Sequence, residues 1–176
     1  YNKRYWLSEK NIKLTKVASN KIKSFFEDPF NLETVLDVDK WAWFFAVADL
    51  NNYFHGLAVK SVKFYYNPIS GKIEPIGFDG HRNVPNYNKN FTNWKSLLNK
   101  YGPTSFDIAK KCNKIDFDKK CNLFVKNFFF FKNGELNIEF YKKYRNAVLK
   151  ISSENFLSSF FNKRQKEIDR INSKIY

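Results

Sequence analysis

Both histidines of the chain and two well-placed aspartates fall in one short stretch: Asp49, His55, Asp79 and His81, with Arg82 directly after. Carboxylate, imidazole and guanidinium together suit phosphoryl transfer. Magnesium binds carboxylate and phosphate oxygens and often takes only one or two protein ligands. An imidazole in a loop, His55, serves near neutral pH as a base or a phosphate contact. His81 and Arg82, just past Asp79, are placed to touch phosphate.

Each of these residues also has an ordinary reading. Aspartate before glycine closes turns in most proteins, and a loop histidine commonly caps a helix or faces solvent. Asp49 sits at the C-terminal end of a predicted helix, where the helix dipole disfavours an anion, so it needs a partner such as a cation, or solvation. His81 and Arg82 have surface solvation as their plain alternative.

The elements that must position these residues follow from periodicity and punctuation. Residues 12–27 read as a helix with Val17, Ile22, Phe25 and Phe26 on one face, broken by Asp28-Pro29. Asp37 or Asp39 can cap a second helix over Val38–Asn51, apolar nearly all round and so destined for a core. Within it, Trp41, Trp43, Phe44 and Phe45 read as core rather than as a stacking platform. Residues 62–66 are β-prone. Asn67-Pro68-Ile69-Ser70-Gly71 carries turn chemistry, with proline presetting φ and glycine supplying a positive φ. Lys72–Phe78 forms a second short strand in which Pro75 leaves one side unpaired. The outcome is a β-hairpin over about 62–78 that ends at Asp79. Residues 82–103, rich in Asn, Pro, Tyr and Gly, read as a long loop containing a short helix near Asn93–Lys100. Helices are predicted over 116–131, 137–151 and 153–173, with Asp116, Asn137 and Ser152 or Ser153 as N-caps and Asn133-Gly134 between the first two. Phe128–Phe131 reads as core or interface. The last helix turns charged after Asn162, which predicts a solvated far end. The expected fold is α+β, mainly α, with one central hairpin, as a single or partial domain over 1–176.

The order helix, polar loop, two short strands, Asp-Gly also occurs in protein kinases, where the hairpin leads into Asp-Phe-Gly. The segment Asn67-Pro68-Ile69-Ser70-Gly71-Lys72-Ile73-Glu74-Pro75-Ile76-Gly77-Phe78-Asp79-Gly80, preceded by Phe64-Tyr65-Tyr66 and by Phe-Ala-Val-Ala-Asp-Leu…His-Gly, resembles the CotH kinase family of spore-coat and secreted proteins. The resemblance covers about residues 35–82. It implies an atypical, kinase-C-lobe-like domain that binds ATP with Mg²⁺ or Mn²⁺ and phosphorylates protein Ser or Thr, with the glycine-rich loop and the ATP-pairing Lys upstream of Tyr1. It implies that Asp79 is the metal-binding aspartate and that His55 falls in the catalytic-loop region; Asp49, from its place in the same stretch, is a catalytic candidate, and His81 and Arg82, just past Asp79, are candidates to contact the nucleotide. Ser61 falls where members commonly place a metal-holding Asn. Serine is a weak, neutral ligand, and this departure supports an alternative: a catalytically degenerate kinase-like structural or binding module of a coat or envelope. The resemblance favours a secreted or cell-envelope location.

Composition bounds the rest. The 176 residues carry 43% hydrophobic and 19% aromatic side chains, including 20 Phe and no Met, a globular composition. Net charge is +14, with Lys spread along the whole chain. That spread reads as compositional bias plus solvated helix faces, so no specific nucleic-acid partner is expected; the expected partners are nucleotide and protein substrate. No apolar run approaches the ~18 residues of a transmembrane helix. Cys112 and Cys121 fit no zinc spacing, and both a disulfide and two thiols remain open. The chain has no initiator Met and no signal peptide, and opens mid-sequence in character, which predicts a processed or truncated chain.

Overall fold

The structure, a computed structural model, describes residues 4, 7–28, 32–51, 54–57, 61–77, 104–114 and 122–175. In chain order these form α1 (Glu9–Glu27), α2 (Leu32–Val35), α3 (Val38–Asn51), α4 (Phe54–Leu57), β1 (Lys63–Asn67), β2 (Lys72–Ile76), α5 (Ser105–Lys114), α6 (Leu123–Phe129), α7 (Ile138–Ile151) and α8 (Glu154–Ile175). The fold is mainly helical with one two-stranded antiparallel sheet. Among the described residues no helix is long and apolar enough to cross a membrane.

α3 is the centre. Asp37 starts it, its carboxylate accepting from the Lys40 N–H at 3.2 Å. Burial pushes the Asp37 carboxyl up, but the bonds from Lys40 and the charges of Lys40 and Lys72 outweigh this and hold it below the usual carboxylate range. Because α3 is apolar on most of its circumference, it needs neighbours on several sides. α7 packs along one side. α6 fills another with Phe124 and Phe128, whose rings lie 5.3 and 5.1 Å from Trp41. Phe45 meets Phe128 at 4.9 Å edge-on and Phe140 of α7 at 5.9 Å. Phe25 of α1 closes the cluster, 5.2 Å from Phe128. Tilted and edge-to-face pairs of this kind add to the area term, because ring edges meet ring faces. Trp41 and Phe45 are fully buried, whereas Trp43 and Phe44 pack only partly against the core. Phe128, Phe129 and Phe130 are core.

The helix ends follow short polar side chains. Asn122 caps α6 by accepting from the Val125 N–H, and Asn137 caps α7 by accepting from the Phe140 N–H. Between them the chain turns back at Asn133-Gly134, with Gly134 at φ +85° and an isolated antiparallel bridge from Phe130 to Leu136. α6 begins at Leu123, later than the predicted 116; Asp116 lies outside the described residues. α5 and the single-turn α2 and α4 lie outside the helices the sequence predicts; where a loop is expected around His55, residues Phe54–Leu57 form a helical turn. Cys112, buried on α5, is disulfide-bonded; Cys121, the other cysteine of the sequence, lies outside the described residues.

The hairpin forms where predicted. Its register pairs Lys63 with Ile76, Tyr65 with Glu74 and Asn67 with Lys72. Asn67 organises the turn: its side chain accepts from the Ile69 N–H at 2.9 Å, and its carbonyl accepts from the Gly71 N–H at 2.8 Å. Gly71 has φ +67°, and a Cβ placed there would meet nothing within 4 Å. Gly71→Ala should therefore cost backbone strain alone, about 1 kcal/mol, read as a lower urea midpoint with an unchanged slope.

Candidate functional site

Three contacts fix the hairpin to the core. The Ile73 carbonyl accepts from the Asp37 N–H at 3.0 Å and from Trp41 Nε1 at 3.0 Å. Leu36 forms a parallel bridge with Ile73. The Ile73 side chain is itself fully buried. At the rim, Lys40 joins Glu74 at 2.8 Å and Asp37 at 3.1 Å, and Asn67 donates to Glu74 at 2.8 Å. The exposed ion pairs contribute little; the buried indole bond and Ile73 hold the strand. β2 thus runs anchored to Gly77, two residues before Asp79. Asp79, His81 and Arg82 lie outside the described residues, as do residues 82–103 with the helix predicted near 93–100.

His55 lies in α4, a single turn directly after α3. The C-terminal carbonyl of this turn, on Leu57, accepts from Asn122 Nδ2 at 2.9 Å. Asn122 therefore caps α6 with its oxygen and tethers α4 with its nitrogen. Ser61 occupies the turn ahead of β1 and is buried at 7% exposure.

Asp49 has the partner its position required, and that partner is the start of α5. Its Oδ1 accepts from the Ser105 N–H at 2.9 Å and from Ser105 Oγ at 2.7 Å, and its Oδ2 accepts from Tyr144 Oη at 2.6 Å. An anion there compensates the exposed N–H groups and the positive end of the α5 dipole. The next bonds belong to a reciprocal cap: Asp107 accepts from the Thr104 N–H and hydroxyl, and Thr104 Oγ1 accepts from the Asp107 N–H at 3.1 Å. Burial pushes the Asp49 carboxyl up to about 6, against the lowering effect of the Tyr144 and Ser105 bonds and with a further push from Asp107. The residue as a whole is only half-buried; the carboxylate oxygens are what the Ser105 and Tyr144 bonds enclose. Tyr144 is pushed well above the usual phenol range by burial, then by the charge and bond of Asp49. Asp49 therefore knits α3, α5 and α7 together. The signal for α5 was in the sequence: Thr104-Ser105-Phe106-Asp107 is a capping box.

Among the described residues no group of three or more His, Cys, Asp or Glu is placed to hold a metal. A metal carried with nucleotide needs only one or two protein carboxylates, and in the predicted site that carboxylate is Asp79. The chain matches no protein-family model, no curated protein and no solved structure.

Proposed function

We propose that this chain carries the metal-binding part of an atypical, kinase-like phosphotransferase that uses ATP with Mg²⁺ or Mn²⁺ and phosphorylates protein Ser or Thr. The observation that carries this reading is the anchored hairpin: β2 is pinned through Ile73 to the central helix, and Asp79-Gly80 follows its end closely in sequence. A carboxylate delivered from such a mount meets a metal with little reorganisation. In this reading Asp79 holds the metal, His55 serves the catalytic loop, and His81 and Arg82 contact the nucleotide. Asp49 acts through α5 as a positioning residue, since its oxygens are already engaged. The bound metal would neutralise charge on the transferred phosphoryl group. The disulfide at Cys112 suits an oxidising compartment, in keeping with a secreted or envelope location.

Ser61 favours a second reading, a degenerate kinase-like structural or binding module, because a buried neutral hydroxyl stands where the resemblance puts a metal-holding amide. Calorimetry of ATP with and without Mn²⁺ separates the two. Metal-dependent binding that disappears in Asp79→Ala, with an unchanged melting curve, supports the transferase. Binding that survives Asp79→Ala overturns the assignment of Asp79. Absence of nucleotide binding by a longer chain that includes the upstream lobe implied by the resemblance selects the second reading, and unfolding of the variant makes Asp79 a structural turn residue.

A further inference from the structure

α8 is 22 residues long, and from Leu157 to Lys174 every residue except Ile168 is exposed. Its attachment is at the start, where the Phe156 ring lies 5.7 Å from Trp43. Beyond that, large apolar side chains stand in solvent: Leu157 is 43% exposed, Phe161 52% and Ile171 48%. Helical propensity alone gives no reason for them to be apolar.

Their spacing does. Leu157, Phe161, Arg164, Ile168, Ile171 and Ile175 recur at steps of four, three, four, three and four. The period is 3.5, a coiled-coil seam rather than the broad stripe of a helix lying on a domain. The seam is narrow, and acidic Glu167 and Asp169 are interspersed with its basic residues, so an anionic membrane surface is a poor fit. Arg164 interrupts the seam but does not leave a bare charge. Its guanidinium covers the Phe160 ring at 4.9 Å and pairs with Glu167 at 3.4 Å.

We propose that α8 is a dimerisation helix whose occupant is α8 of a second copy, packed antiparallel. The charges beside the seam select that arrangement. Glu167 and Lys174 are seven residues apart and so share one heptad position, on the same flank. Antiparallel packing that sets Ile168 against the partner's Ile171 also sets Glu167 against the partner's Lys174, and Gln165 against the partner's Asn172. Two-fold symmetry forms each of these pairs twice. In parallel packing Glu167 would instead face an uncharged position, and Lys174 would gain no acidic partner.

The test is sedimentation equilibrium of the 176-residue chain at physiological salt, with circular dichroism to confirm that each variant folds. The chain should dimerise. Ile171→Glu should weaken the dimer about 100-fold or more by placing a charge in the apolar seam. Glu167→Lys should weaken it about tenfold by like-charge repulsion, and the double variant Glu167→Lys with Lys174→Glu should restore it. A monomer at high micromolar concentration overturns the proposal, and so does a dimer indifferent to Ile171→Glu. A dimer lost in Ile171→Glu but not rescued by the double charge exchange overturns the antiparallel pairing. Co-sedimentation of a monomeric chain with anionic vesicles, abolished by Ile171→Glu, would assign the face to a membrane instead.

Discussion

Trp41→Ala should lower the stability of the chain by about 3–5 kcal/mol. Its indole is fully buried among Phe44, Phe45, Phe124 and Phe128, so truncation removes ring contacts on several sides and leaves a space that helices from distant parts of the chain cannot easily close. It also removes the Nε1 bond to the Ile73 carbonyl. Trp41→Phe separates the two effects. It retains most of the ring packing, and the carbonyl keeps its bond from the Asp37 N–H, so about 1–2 kcal/mol should be lost. Urea unfolding measures the stabilities. Amide exchange of the hairpin is the finer readout: β2 should open more readily in both variants, and protection of β2 equal to that of the parent in Trp41→Ala would show that the indole does not anchor the strand.

The second large effect belongs to Asp49. Its carboxyl is pushed up from 3.8 to about 6, so the folded chain holds this proton more tightly than the unfolded chain. The contribution of this group is therefore most favourable below pH 4. It declines as the pH rises from about 4 to about 6 and is constant above, a swing of at most about 3 kcal/mol. This runs opposite to ordinary acid denaturation by paired carboxylates, so the informative quantity is the difference between the parent and Asp49→Asn across that window. That difference should change in favour of the parent as the pH falls, and a flat difference would refute the burial of the charge. Asp49→Ala differs from the amide variant because it leaves the Ser105 N–H, the Ser105 hydroxyl and the Tyr144 hydroxyl without their acceptor. It should lose on the order of 3 kcal/mol at neutral pH, with α5 loosening first.

What was legible in the sequence was whatever local chemistry decides. Val38–Asn51 was read to the residue because an all-apolar segment behind a capping aspartate has few alternatives. The hairpin was read because Asn67, Pro68 and Gly71 specify a turn by themselves, and Gly71 does take a positive φ. Asn137 was read as a cap and is one. The losses came where a distant residue decides. Ser105 lies 56 positions from Asp49, and no window of sequence joins them, so Asp49 was weighed as a chemical group while its structural partner stayed hidden. The apolar face of α5 is short and its local signal is the capping box at its start. The proposed site reads in the sequence as an order of residues: Asp49, His55, Asp79, His81 and Arg82.

The separation between α3 and its main partner also bears on how the chain is made. Asp39 and Lys143, joined at 2.7 Å, stand 104 residues apart. A ribosome adding about 5–20 residues per second needs several seconds to cover that distance. Until Leu123–Phe129 and then Ile138–Ile151 are made, the strongly apolar α3 has no α6 or α7 to cover it. Nascent chains stopped before α7 should therefore be the preferred clients of holding chaperones. Release should come only once Phe140 and Tyr144 have emerged.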